Sequence, residues 1–248
     1  MAAESLTGTS PNWRRVARRM LAAPGISLVA PGWPDAGRRI VQQPALRAML
    51  RRAATDLPRV RTAVNAGAGE GLHSALIRRY IASARLLEFD LSRPRALGLD
   101  PASHRFRGSL TAIPLQTGSA DLVVCTEVLE HVADDERAVA EIRRVLSSAG
   151  ALVLSVPTPP AVFDPAHVRE GYTLSQLGAL FARHGLAITD MQYCMYGLFK
   201  CVLRFWRPFR VPHGVIVSIA WCDRILRLGS PMDLVVLARV VQQPQPGR

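Results

Sequence analysis

Residues 63–71 read A-V-N-A-G-A-G-E-G, an apolar run that leads straight into glycines at alternate positions 67, 69 and 71. Glycine belongs where the backbone must turn with φ > 0, or where a ligand must approach the main chain with no Cβ in the way. Gly67, Gly69 and Gly71 therefore suggest a cradle for a nucleotide-type ligand, and the helical stretch Leu72–Ala82 would turn its first N–H groups toward the bend. Spacing narrows the ligand. A dinucleotide fingerprint needs G-x-G-x-x-G, but here the third glycine comes one residue early and Leu72 stands in its place. A pyrophosphate cofactor is disfavoured.

The same turn resembles the first motif of the class I S-adenosylmethionine-dependent methyltransferases, roughly acid-x-G-x-G-x-G at the end of the first strand. The likeness continues along the chain from about Val60 to Val240. L-L-E-F-D-L-S (86–92) looks like the second strand. D-L-V-V-C-T-E-V-L-E-H-V (121–132) looks like the fourth strand and following turn of the subgroup that methylates small molecules such as quinone precursors, and A-G-A-L-V-L-S-V-P (149–157) like the fifth strand. The resemblance implies S-adenosylmethionine as cofactor. Its implied site comprises Asn65, Ala66, Gly67, Ala68, Gly69 and Gly71 around the methionine portion, with Asp90 at the ribose and Leu91 next to it. Ser109 and Leu110 fall near the adenine, and Thr126, Glu127 and Val128 follow the fourth strand. A carboxylate suits the ribose because it offers two acceptor oxygens side by side. Two positions depart from the family pattern. Asn65 replaces the acid that usually orders the glycine loop, and Ser109 stands where an aspartate commonly meets the adenine amino group.

The reaction this implies is in-line methyl transfer to an oxygen, nitrogen or carbon nucleophile of a small-molecule acceptor. A general base is optional, although histidine would help to deprotonate an alcohol or phenol. His131 is the leading base candidate, because it follows the fourth strand. His167 and Tyr172, in H-V-R-E-G-Y-T-L, resemble a substrate-side loop. Glu130, Asp134, Asp135 and Glu136 read as a solvated first helical turn, and no metal site is expected.

Positioning these groups requires a sheet. Strands are expected at Val60–Ala66, Arg85–Asp90, His104–Gly108, Asp121–Thr126, Ala151–Val156, Leu186–Tyr193 and Asp233–Val240, with helical stretches between them. Alternation of this kind implies an α/β fold with a parallel sheet covered on both faces. The resemblance refines this to a Rossmann-like doubly wound seven-stranded sheet, mostly parallel, whose antiparallel last strand lies beside the fifth. Residues 1–59 read as a basic, mainly helical extension, with helices at Trp13–Leu21 and Ala45–Ala54 and breaks at Pro24, Pro31 and Pro34. Residues 60–241 form the cofactor-binding domain and 242–248 a tail. Arg93–Pro101 and Pro157–Ala166 are Pro-punctuated loops.

The connection Met195–Met232 replaces what would normally be a short hairpin, and loops of that length are usually functional or disordered. Within it, 197–230 reads as a basic amphipathic insertion. Leu198, Val202, Phe205 and Phe209 fall on one helical stripe and Lys200, Arg204 and Arg207 on another. Such a helix could cap a hydrophobic pocket, pack plainly on the domain, or touch a membrane through 197–210.

Charge is unevenly placed. The chain carries a net +12, with 11 Arg against 3 acids in residues 1–63 and 6 basic residues against 1 acid in 197–230. The rest is close to neutral. A chain of 248 residues with 49% hydrophobic content can bury one enzyme-sized core. Cys125, Cys194, Cys201 and Cys222 show neither C-x-x-C spacing nor partnered histidines, which argues against zinc or a disulfide framework. M-A-A-E-S-L-T-G lacks signal-peptide order, and the apolar run Val211–Cys222 is too short to span a bilayer, so a cytoplasmic protein is expected. Two readings from other classes stay open. The arginine-rich segments could serve an RNA methyltransferase or RNA-binding protein, although no N-P-P-Y-like or aromatic-basic RNA motif is present, and Asn65 with Ser109 could mark an inactive scaffold.

Overall fold

A computed structural model describes residues 34–57, 59–69, 71–82, 84–92, 102–161, 166–205 and 213–241. The expected Trp13–Leu21 helix, the Arg93–Pro101 loop, part of the Pro157–Ala166 loop and the 242–248 tail lie outside these residues.

Seven strands form one sheet: β1 Thr62–Ala66, β2 Arg85–Asp90, β3 His104–Arg107, β4 Ala120–Thr126, β5 Leu146–Pro157, β6 Leu186–Cys194 and β7 Asp233–Val240. Their order is β3-β2-β1-β4-β5-β7-β6. The first five run parallel, and β7 lies antiparallel between β5 and β6. Each expected strand is present. Central strands have no wet face, because successive side chains enter opposite hydrophobic layers. Val123 and Cys125 of β4 join Phe89, Ile142 and Phe181 on one side, whereas Leu122 and Val124 join Leu46, Met49, Leu50 and Ile77 on the other.

Six helices are described: α1 Pro34–Asp56, α2 Ser74–Tyr80, α3 Asp135–Val145, α4 Leu174–Arg183, α5 Gly197–Phe205 and α6 His213–Leu226. Two carry legible start signals. The Asp134 side chain accepts from Arg137 N at the head of α3, and Thr173 forms a capping box with Gln176 at the head of α4.

The N-terminal extension differs from the sequence expectation. Pro34 does not break structure but opens a helix, where its missing N–H costs nothing, and Pro44 lies inside that helix rather than before it. Tertiary packing explains the tolerance. Val41, Gln42, Ala45, Leu46, Met49, Leu50 and Ala53 are all buried, so α1 is part of the core and not an appendage.

The described part of the 195–232 connection is two helices, α5 and α6, packed on each other. Asp223, fully buried on α6, accepts from Tyr196 N at 2.5 Å and Phe199 N at 3.1 Å, so a carboxylate from one helix caps the start of the other. Gly197 N donates to Leu228 O at 2.7 Å, and a Cβ on Gly197 would lie 2.6 Å from that oxygen. Only glycine permits this approach. Cys125 and Cys194 are buried, Cys201 and Cys222 are exposed, and none of the four is in a disulfide.

One ion pair ties α3 to the turn after β3. Glu141 accepts from Arg144 and from Ile113 N, while Arg144 reaches the carbonyls of Ile113 and Leu115. Arg144 holds the Glu141 carboxyl below its usual range. Stability from this depressed acid is fully present above its unfolded value of about 4.3 and is lost as pH falls through the lower folded value. Glu141→Gln should therefore flatten the fall of thermal midpoint with acid below about pH 4. A slope identical to wild type would show that the pair contributes nothing.

Candidate functional site

The carboxyl ends of β1, β2 and β4 converge where the strand order reverses, which is where open α/β sheets bind ligands. Gly67, Gly69 and Gly71 all have positive φ, at 72°, 50° and 75°. Gly67 N and Ala68 N both donate to Phe89 O at 2.9 Å, locking the turn to the end of β2. The two leading glycines have different reasons. A Cβ on Gly67 would lie 2.3 Å from the Val128 side chain, so that glycine serves packing against the turn after β4. A Cβ on Gly69 would meet nothing within 4 Å. That position faces open space.

Asp90 is pre-aimed at the same space. Its Oδ2 accepts Gly69 N at 2.9 Å, and its Oδ1 accepts Ser92 N at 3.2 Å and Ser92 Oγ at 3.4 Å, which fixes the carboxylate and leaves a lone pair on Oδ2. Next to it Leu91 is 68% exposed, an apolar surface at the ligand edge. Ser109 lies on this edge too, but its Oγ is paired with Thr111 Oγ1 at 2.8 Å and accepts Thr111 N, while Leu110 is buried. Ala66 and Thr126 are buried strand ends.

Beneath the glycine turn lies a group that the sequence reading did not single out. Glu88 is fully buried and sits opposite Asn65 in the β1–β2 register. It accepts from Asn65 Nδ2 at 3.2 Å, from Ser74 Oγ at the start of α2 and from Ser103 Oγ at 2.5 Å, and Arg105 Nε lies 3.5 Å away. The acid missing at position 65 thus has a counterpart one strand over. A glutamate among apolar neighbours in L-L-E-F was the available signal, since a buried carboxylate needs partners.

On the β4 side Glu127 adopts φ +55°, an uncommon conformation for a side-chain-bearing residue, held by its N–H bond to Ser155 O. Its Oε1 accepts Gln42 Nε2 at 2.9 Å and Ser155 Oγ at 2.8 Å, and Gln42 also donates to the fully buried Asp233. Gln42 was legible in principle. It is a polar residue on the stripe 42, 46, 49, 53 that α1 turns to the core.

Beyond Glu127, residues 129–131 form one 3₁₀ turn. His131 Nδ1 lies 2.9 Å from Ala166 O. A carbonyl only accepts, so Nδ1 carries the proton, and in the neutral ring Nε2 is left as the acceptor. The rings of His131 and His167 meet edge to face at 4.6 Å. Glu130 is not part of a solvated turn as expected. It is fully buried, and its carboxylate lies 3.9 Å from His131 Nε2. Glu130, His131 and His167 each bring one donor atom within 4.8 Å of the others, a set able to share a proton or hold a cation. Tyr172 has a different place. It is buried, its hydroxyl donates to Asp135 and accepts from Arg169, and burial pushes its pKa up, which leaves it poorly suited as a base. The Cys125 thiol is also pushed up by burial and stays protonated. A separate cleft of about 1250 Å³, lined by Arg143, Arg183, His184 and Ile188, runs along α4 and β6 away from all these groups.

Comparison with known proteins fits this geometry. Residues 64–154 match the family model of a methyltransferase domain, type 11. A Mycobacterium tuberculosis protein named a probable S-adenosylmethionine-dependent methyltransferase is 31% identical over 165 residues, covering 53% of this chain and 59% of the relative. The chain spans 57%, 30% and 59% of the lengths of the first three curated relatives it matches. Among solved structures, an S-adenosylmethionine-dependent methyltransferase from Mesorhizobium loti superposes with TM-score 0.56 at 22% identity, over 80% of this chain and 97% of that one. The [4+2]-cyclase SpnF superposes with TM-score 0.57 at 17% identity, over 92% and 93%. These two likenesses establish the class I methyltransferase fold. They do not by themselves fix the chemistry.

Replacing each leading glycine should separate packing from ligand approach. Gly67→Ala should lower stability by about 1–3 kcal/mol through the clash with Val128. Gly69→Ala should cost only about 1 kcal/mol of backbone strain yet weaken S-adenosylmethionine binding at least about tenfold. Denaturant melts and calorimetry read the two effects. Equal affinity in Gly69→Ala and wild type would place the ligand elsewhere.

Proposed function

We propose that this protein uses S-adenosylmethionine to methylate a small-molecule acceptor, a reading supported by the match of residues 64–154 to the type 11 methyltransferase-domain model. One observation carries the proposal: the open space at Gly69 is bordered by a carboxylate that the same residue's N–H already orients. That cradle fits the cofactor. A Cβ-free backbone admits its methionine portion, Asp90 retains a lone pair on Oδ2 for one ribose hydroxyl and gains one on Oδ1 when the Ser92 hydroxyl rotates away, and exposed Leu91 offers an apolar face beside the base. When bound, S-adenosylmethionine supplies a methyl group on a positively charged sulfur.

The chain's own work is alignment and shielding. Thr126, Glu127 and Val128 border the cradle from β4, and Glu127 is held in its left-handed turn by Gln42 and Ser155. Orientation of this kind supplies several kcal/mol of barrier reduction in transfer reactions. For a hydroxyl acceptor, His131 takes the proton at Nε2, since Nδ1 is occupied by Ala166 O. A nitrogen or carbon acceptor needs no such step. The site lies at an edge where the long connection also emerges, and this favours an acceptor with hydrophobic, lipid-like or glycan-linked character. Ser109, already bonded to Thr111, reads the adenine less firmly than an aspartate would.

Calorimetry on wild type and Asp90→Ala tests the cofactor assignment. The expected result is a loss of roughly 1.5–3 kcal/mol in binding free energy, since the variant removes charge-assisted bonds. Equal binding would reject the site. With an acceptor in hand, His131→Gln should lower kcat by about 10² for a hydroxyl acceptor while leaving cofactor affinity unchanged.

A further inference from the structure

Among the described residues, exposed large apolar side chains are concentrated on one element. Val215, Trp221, Ile225 and Leu226 lie on α6, Leu228 follows it, and Trp221 and Ile225 are each 63% exposed. On the helix they form adjacent rows, Trp221 with Ile225 at one spacing of four, and Val215, Cys222 and Leu226 at spacings of seven and four. A monomer has no internal use for such a face.

Charge beside it is of one sign. Residues 195–232 contain six basic residues and one acid, and that acid, Asp223, is fully buried and bonded to Tyr196 N and Phe199 N. Arg224 and Arg227 are exposed on α6 and just after it, and Lys200 is exposed on α5. On α5 Phe199 is fully buried, and among the described residues the exposed large apolar side chains of this connection lie on α6 and at Leu228. Among the described residues no helix is long and apolar enough to cross a membrane.

We propose that the outer face of α6, with Trp221, Ile225, Leu226 and Leu228, docks on the surface of an anionic phospholipid bilayer, with Arg224 and Arg227 at headgroup level. A helix with a broad apolar face and flanking cations lies in a membrane interface rather than across it. Tryptophan suits that boundary because its ring is apolar and its N–H polar. The connection holds this face rigidly. Thr158 N at the end of β5 donates to Met232 O at 2.9 Å, and Met232 N donates to Met195 O at 2.7 Å, so the docked element is bonded to the sheet edge that carries the cradle. The surface assignment does not depend on the transfer reaction.

Co-sedimentation of the full chain with vesicles of phosphatidylcholine alone, or of phosphatidylcholine mixed with phosphatidylglycerol, tests this. Wild type should bind the anionic vesicles at least about tenfold better, as expected for two cations worth about fivefold each. Trp221→Ser with Ile225→Ser should cut binding to the anionic vesicles at least about tenfold. Arg224→Gln with Arg227→Gln should remove most of the anionic preference. Thermal midpoint and S-adenosylmethionine binding, measured in the same samples, should stay at wild-type values because the replaced groups are exposed. Wild type that stays in solution with both vesicles, or variants that sediment like wild type, would overturn the proposal. So would a doubled solution mass that Trp221→Ser abolishes, which would give this face to a second copy of the chain. RNA retention that ignores Trp221→Ser, with no vesicle binding, would also overturn it.

Discussion

A carboxylate cannot stay charged in a protein interior without partners, and Glu88 is fully buried on the second strand. Its partners come from four places in the chain: Asn65 at the end of β1, Ser74 at the start of α2, Ser103 before β3, and Arg105 within β3. The glycine turn runs between the first two. Meeting the hydrogen-bond demand of one acid therefore fixes both ends of the turn, and the turn in turn places Gly69 N against Asp90. The open space at the cradle follows from this. Asn65 is the informative detail, because it donates to an acid where the resembled family carries the acid itself.

The opposite wall is built by a second buried polar set. Gln42 bridges Glu127 and Asp233, so a helix from the N-terminal region is bonded to the turn after β4 and to the start of β7. An amide with two N–H groups can donate to both acids at once. Glu127 is held where few non-glycine residues sit, at the ligand edge of the sheet. Strain kept at such an edge is common where a site must be shaped before its ligand arrives.

Much of this architecture was legible because periodicity reports burial. Continuous apolar runs such as Leu122–Cys125 and Leu234–Leu237 could only be central strands, and the alternate glycines at 67, 69 and 71 required positive φ, as observed. The antiparallel strand beside the fifth came from the family likeness and is present. What was missed depends on tertiary partners. Pro34 read as a break and the helix as starting only at Ala45 because propensity is local, whereas packing of Val41, Leu46 and Met49 holds α1 through Pro44. Glu130 read as solvated from its acidic neighbours, yet the 3₁₀ turn points it inward. Glu88, Gln42 and Asp233 are single polar residues in apolar surroundings, and their roles appear only when distant strands meet. Val211–Cys222 read as an apolar run too short to span a membrane, and the exposed face of α6 is a property of the contacts that Asp223 and Gly197 make between the two helices.

The central claim is that a buried acid beneath the turn holds the cradle in shape, wherever along the β1–β2 pair that acid is placed. A double-mutant cycle on S-adenosylmethionine affinity tests it most directly. Glu88→Gln should cost about 1–3 kcal/mol of stability, by turning an amide N–H₂ toward the buried donors of Asn65, Ser74 and Ser103, and should weaken binding with it. Adding Asn65→Asp to that variant should restore more than half of the lost affinity. Binding by Glu88→Gln at wild-type strength, or a double variant no better than the single one, would contradict the account.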